Sequence, residues 1–278
     1  MGRKLFIKVI TVLCASTLAF GLVSCGKAEE GSNDKKVITI GVSPGPYNDL
    51  FDAGVKPILE SKGYEVKAVT FSDLLLSEVA LTEGQIDFNV AQHTAYANAY
   101  NKEKNAELVS IVHIPTVPAG IYSNKYTSIK DIKNGAKVAI PKDPSNAARA
   151  YNVLQKAGWI KLKEGIDPMS ATLNEIVENP HNLDITLMES LQIPRAMDDI
   201  DFAILPGSVV YAAKVDASKS LLSETVIKDL EITAVVDKKN VDTKWAKDIV
   251  AAYKSEAFKK YLEENNKDNY WQIPDDLK

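Results

Sequence analysis

Eight short apolar runs, rich in β-branched residues, recur between residues 37 and 237, and helix-like stretches separate most of them. They are 37–43 (VITIGVS), 64–71 (YEVKAVTF), 86–93 (IDFNVAQH), 108–114 (LVSIVHI), 137–141 (KVAIP), 183–188 (LDITLM), 201–205 (DFAIL) and 231–237 (EITAVVD). Runs of this length and composition read as strands. In 47–63 (YNDLFDAGVKPILESKG), Leu50, Phe51, Val55, Ile58 and Leu59 gather on one side of a helix that Gly63 stops. In 145–158 (SNAARAYNVLQKAG), Ser145 reads as the helix cap and Gly158 as its end. Strands alternating with helices predict an α/β fold whose central strands are largely parallel.

The rhythm breaks once, at 114–126 (IPTVPAGIYSNKY), where two prolines and a glycine interrupt before a second α/β run opens at 137. The break predicts a crossing into a second lobe near residue 116. The expected plan is that of a periplasmic-type binding protein, two-lobed in the type II style, with a hinge and a ligand cleft between the lobes. Residues 37–116 plus 232–278 are expected to build the first lobe and 117–231 the second.

Upstream, Arg3, Lys4 and Lys8 precede sixteen uncharged residues, 9–24. A basic start and a short apolar core predict a secretory signal peptide over 1–24. The run is shorter than the roughly 20 residues a membrane-spanning helix needs. Its ending, Leu22-Val23-Ser24-Cys25, is similar to a bacterial lipobox, in which the cysteine thiol is lipidated and the chain is cut just before it. A soluble secreted protein cut near the same point is the alternative. Residues 25–36 then read as the lipidated Cys25 and a solvated tether. Cys14 leaves with the signal, so the mature chain keeps one cysteine and no intramolecular disulfide. The signal also removes three bases and no acid, which leaves 30 basic against 37 acidic residues, a net charge of −7. That balance argues against nucleic acid and against a polybasic membrane patch.

No phosphate loop, dinucleotide fingerprint, H-E-x-x-H or G-x-S-x-G motif is present. His93, His113 and His181 lie far apart with no cysteine beside them, so no zinc site is expected, although folding can gather carboxylates about a histidine. No nucleophile with its base stands out. The expectation is a binder with no cofactor and no metal, not an enzyme.

Four stretches carry a resemblance: 70–100 (TFSDLLLSEVALTEGQIDFNVAQHTAYANAY), 138–165 (VAIPKDPSNAARAYNVLQKAGWIKLKEG), 177–199 (VENPHNLDITLMESLQIPRAMDD) and the lipobox. Together they resemble the NlpA family of methionine-binding lipoproteins, the ligand-capturing components of methionine ABC importers. The resemblance implies an extracytoplasmic, lipid-anchored monomer that captures methionine or a related amino acid. It would deliver that ligand to a permease powered by a separate ATPase subunit. It also implies that Asp143, Pro144, Asn146 and Arg149 match a D-P-x-N-x-x-R motif whose arginine grips the ligand carboxylate, with Arg149→Ala weakening binding and sparing the fold. On spacing alone, Arg149 better fits an arginine on a solvated helix face paired with some acid. Phe71, His93 and Tyr96 match family residues about the ligand side chain, and Tyr122 is a further candidate. Phe71 also fits ordinary core, and His93 a capped strand end. Ala91 replaces a family aromatic, and Ser208 and Thr233 stand where asparagines commonly hold the ligand headgroup. These departures leave a different ligand open, such as a dipeptide, another amino acid or a small organic anion.

Overall fold

The computed structural model describes residues 35–266 and 270–278, all within the unit Asn33–Lys278. The expected signal peptide, Cys25 and residues 26–34 of the tether lie outside the described residues. The described strands are β1 (Val37–Val42), β2 (Glu65–Thr70), β3 (Phe88–His93), β4 (Leu108–His113), β5 (Gly120–Tyr122), β6 (Lys137–Pro141), β7 (Lys161–Leu162), β8 (Ile176–Glu178), β9 (Asp184–Met188), β10 (Phe202–Leu205), β11 (Leu222–Ser223) and β12 (Ile232–Asp237). The α-helices are α1 (Tyr47–Gly54), α2 (Lys56–Ser61), α3 (Leu74–Thr82), α4 (Thr94–Lys104), α5 (Pro144–Lys156), α6 (Gly207–Ala212), α7 (Lys244–Tyr253) and α8 (Glu256–Asn265).

The strands form two five-stranded sheets, ordered β2-β1-β3-β12-β4 and β11-β5-β10-β6-β9, with β7 and β8 as a separate pair. In the first sheet β1 runs parallel to β2 and β3, and β12 lies antiparallel between β3 and β4. In the second, β6 runs parallel to β9 and β10, and β5 lies antiparallel between β10 and β11. Numbered from its own β1 or β6, each sheet has the same order, 2-1-3-n-4. In each sheet the antiparallel strand n is the first strand the chain makes after crossing from the other sheet. Matching sheets that exchange strands give the mixed, two-lobed α/β fold.

The chain crosses outward over 114–119 and returns over 224–231. Thr116 ties the two crossings together: its Oγ1 accepts from the Ile232 N–H at 2.8 Å and its backbone pairs with Gln272. Each sheet is covered on both faces, as parallel sheets require. In the first, Ile38, Ile40, Phe88 and Val90 face α1, α7 and α8 through Phe51, Trp245, Tyr253 and Phe258, while Leu81, Ile86 and Tyr100 fill the other side with Val235. In the second, Val138, Ile140, Phe202 and Ile204 meet Tyr151, Leu154 and Trp159 of the α5 side, and Ala139, Ala203 and Leu205 turn the other way.

The helix expected over 47–63 is two helices. Val55, at φ −115°, breaks it, and Pro57 starts the second because proline fits a helix's first turn and disrupts its interior. The cap of α5 is Asp143 and not Ser145: the Asp143 carboxylate accepts from the Asn146 N–H at 3.0 Å, and the Ser145 hydroxyl donates to that same oxygen. Pro144 then takes the first helical position.

Candidate functional site

Six strand-to-helix turns meet at one cleft of about 620 Å³. Three leave the first sheet, after β1 (Pro44, Tyr47), β2 (Ser72 to Leu75) and β3 (His93, Tyr96). Three leave the second, after β6 (Lys142 to Arg149), β9 (Glu189 to Gln192) and β10 (Pro206 to Val209). Carboxyl ends of parallel strands are where α/β sheets place ligands, because the helix N-termini there present free N–H groups. Asp73, His93 and Asp143 cap α3, α4 and α5 at this cleft. Leu75 and Leu191, both exposed, form apolar rims on its two sides.

Arg149 lines the cleft yet is only 4% exposed, and its guanidinium already has a partner. Its Nε donates to Glu224 Oε2 at 2.6 Å and its Nη2 donates to Glu224 Oε1. The Glu224 side chain is equally buried, and its Oε1 also accepts from the Ala119 N–H at 2.7 Å. Glu224 therefore sits where both crossings leave the second sheet. Burial opposes the charge on Arg149, and the adjoining carboxylate more than offsets that, holding its pKa above the ordinary arginine value. Nη1 reaches Asn146 Oδ1 at 3.5 Å.

His93 bridges the two halves. Its Nδ1 accepts from the Tyr96 N–H at 3.1 Å, which caps α4 and leaves the proton on Nε2. Nε2–H then faces Asn146 Oδ1 at 3.4 Å. Burial, with the Arg149 charge beside it, pushes the ring down to about 3, so it stays neutral and serves as a fixed donor. Burial raises the Tyr96 hydroxyl, which also remains protonated.

Of the residues expected at a ligand site, Arg149, Asn146, His93, Tyr96 and Ser208 line this cleft, as does Ala91. Phe71, Tyr122 and Thr233 do not. Phe71 packs on the cluster of Leu81, Ile86 and Tyr100 beneath the first sheet. Tyr122 is buried with Ile193, Leu205 and Val209. The Thr233 hydroxyl donates to the Val112 carbonyl at 2.8 Å inside the sheet, and its neighbour Ile232 lines the cleft instead. Glu224 and Gln92 escaped the sequence reading. Glu224 pairs across 75 positions from a stretch with no motif, whereas Gln92 is the glutamine of A-Q-H, beside His93, which carries the motif's signal.

Folding does gather carboxylates about a histidine elsewhere. His113, Glu231 and Asp276 bring one ligand atom each within 4.8 Å of one another, the one such group found among the described residues. None of the three lines the cleft, and Asp276 pairs with Lys254 at 3.8 Å.

The family model described as NlpA lipoprotein matches residues 38–273. The chain belongs to the NlpA lipoprotein family. A relative from Salmonella typhi described as D-methionine-binding lipoprotein MetQ is 34% identical over 241 residues, covering 86% of this chain and 88% of the relative. A nutrient binding protein from Burkholderia cenocepacia, solved bound to methionine, superposes with a TM-score of 0.78 at 33% identity, over 85% of this chain and 99% of that one. The substrate binding protein of a methionine transporter from Streptococcus pneumoniae gives 0.76 at 31% identity, over 86% and 96%. NlpA relatives are lipoproteins, which puts this chain at a membrane on its extracytoplasmic side. Among the described residues no helix is long and apolar enough to cross a membrane.

Proposed function

We propose that this chain is the substrate-binding component of an ABC importer, anchored through a lipid on Cys25, that captures methionine or a related amino acid and hands it to a permease. The single observation that carries the reading is the convergence of six strand-to-helix turns, three from each sheet, on one cleft holding Arg149, Asn146, His93, Tyr96 and Ser208. In this reading the lobes are 37–116 plus 232–278 and 117–231, and they close about the two crossings. The N–H groups of Arg149 not bonded to Glu224 take the ligand carboxylate. The Ser208 hydroxyl completes the headgroup site, with Asn146 fixed by the His93 Nε2–H. Leu75, Leu191 and the Tyr96 ring cover an apolar or thioether side chain. The protein works as a monomer without catalysis, and energy comes from a separate ATPase subunit, since no phosphate-binding motif is present.

A dipeptide or a larger amino acid is the second reading. It is favoured by Ala91, which lines the cleft where the family has an aromatic, and by a volume well beyond what one amino acid fills. Calorimetry separates the two. The chain is unfolded and refolded to strip carried-over ligand, then titrated with L-methionine, D-methionine, Gly-Met and other amino acids. Tight binding of methionine with weak Gly-Met supports the first reading and the reverse order the second. Silence across the panel overturns both.

A further inference from the structure

The charges around the cleft are compensated before any ligand enters. Two cations line it. Lys142 lies 2.5 Å from Glu189, with both side chains exposed, and Arg149 is gripped at two points by the buried Glu224. The other charged side chains in the lining, Asp73 and Asp143, are each committed to a helix N-cap, where the helix's own partial positive charge meets them. No lining cation among the described residues is left without a carboxylate partner. A ligand bearing a lone negative charge would therefore lose its hydration in a site with no matching charge. A zwitterion brings no net charge. Arg149 can still serve its carboxylate, because a guanidinium has five N–H groups and the bonds to Glu224 use two.

We infer that Glu224 sets the charge class of the ligand: by cancelling Arg149 it makes the cleft take a zwitterion in preference to the matching anion. The inference rests on the amino-acid reading above and narrows it, since a small organic anion is the one alternative that the compensated site disfavours. Glu224 does not line the cleft, so it acts through Arg149, fixing both its orientation and its net charge. Ala119 holds the carboxylate from behind, which keeps it from swinging aside to admit a second anion.

The test compares each amino acid with its deaminated twin. The full chain in mild detergent is titrated with L-methionine and 4-methylthio-2-oxobutanoate, and with L-leucine and 4-methyl-2-oxopentanoate. The same titrations are run on Glu224→Gln and Glu224→Asp, with circular dichroism to establish that each variant is folded. The wild type should bind the amino acid at least about tenfold tighter than the oxo acid. Glu224→Gln, which leaves Arg149 uncompensated, should move that ratio at least about tenfold towards the oxo acid. Glu224→Asp should keep the wild-type preference even where both affinities fall, which a purely architectural role would not produce. An unmoved ratio in folded Glu224→Gln, or a wild type that binds both twins equally, overturns the inference and leaves amino-acid capture standing. Should the Gln variant not fold, Glu224→Asp decides: a folded Asp variant that loses the wild-type preference overturns the inference. If neither the amino acids nor the oxo acids bind the wild type, amino-acid capture fails and the inference with it.

Discussion

Removing the guanidinium of Arg149 leaves the Glu224 carboxylate buried with only the Ala119 N–H as a partner. An uncompensated buried charge costs about 3–5 kcal/mol, while a buried pair replaced whole by apolar groups costs far less. Arg149→Ala should therefore lose stability of that order, which urea denaturation measures, whereas the sequence alone leads to the expectation that the fold is spared. Arg149→Met with Glu224→Met together should lie closer to the wild type than either change alone. A double variant as unstable as the sum of the singles would mean the pair is not coupled. Glu78 poses the opposite case, a buried acid with no cation partner among the described residues. It is 0% exposed, and burial raises it to about 8 against the pull of hydrogen bonds from Gln92 and Asn89. Its Oε2 and the Gln92 Oε1 lack a donor, and a proton on Glu78 supplies one. Below pH 4.5 the carboxyl is protonated in folded and unfolded chains alike, so stability is full there. From 4.5 upward the unfolded chain ionises and the folded one does not, and stability falls until about pH 8 by up to about 1.4 kcal/mol per pH unit. Glu78→Gln, which mimics the protonated acid, should match the wild type near pH 4 and exceed it at pH 8. Parallel melting curves for the two proteins across that range would refute the assignment.

Among the elements, α6 is held by a close approach that only glycine permits. A Cβ on Gly207 would lie 2.6 Å from the Val117 carbonyl oxygen and from its side chain, in the outward crossing. Gly207→Ala should cost about 1–3 kcal/mol through the forced shift of backbone. Ser208→Ala, one position on and facing the cleft, should stay within about 0.5 kcal/mol of wild type in thermal melts. Equal losses at the two positions would mean that the crossing yields to the extra methyl group. The central strands of both sheets were legible because apolar runs such as ITAVV and FAIL are buried on both faces and need no partner to announce themselves. The three-residue β5 was not, since it follows directly on the proline-rich crossing and its pairing with β10 and β11 is what defines it. The break between α1 and α2 was hidden for a related reason: Leu50, Phe51, Val55, Ile58 and Leu59 keep a helical spacing across it, and Pro57 decided against one helix. At the cleft, the D-P-x-N-x-x-R stretch marked α5 correctly. Local pattern could not separate an arginine that faces a ligand from one that faces an acid, and the structure has it doing the second while lining the site for the first. Thr233 misled because strand alternation does not say which hydroxyls the sheet itself consumes.

At the scale of the molecule, the closure proposed above would depend on contacts that cross between the two halves away from the crossings. His93 to Asn146 is one, inside the cleft. The Tyr211 hydroxyl, donating from α6 to the Asp49 carboxylate of α1, is another. It borders a second cavity of about 680 Å³ whose wall includes Leu50, Lys214, Tyr261 and Trp271. Neither Asp49 nor Tyr211 lines the ligand cleft, so Asp49 can influence a ligand only through the balance between open and closed forms. Affinity falls in proportion to the population of the binding-competent form, and an exposed hydrogen bond biases that population modestly. Asp49→Ala should therefore weaken amino-acid binding by no more than about tenfold. It should also enlarge the ligand-free molecule in small-angle scattering, while saturating ligand restores the wild-type radius of gyration. Unchanged affinity and radius would mean that the Tyr211 contact is present in both forms and does not gate the cleft. A radius that stays large under saturating ligand would mean that Asp49 is needed for closure itself, and that the two crossings alone do not bring the halves together.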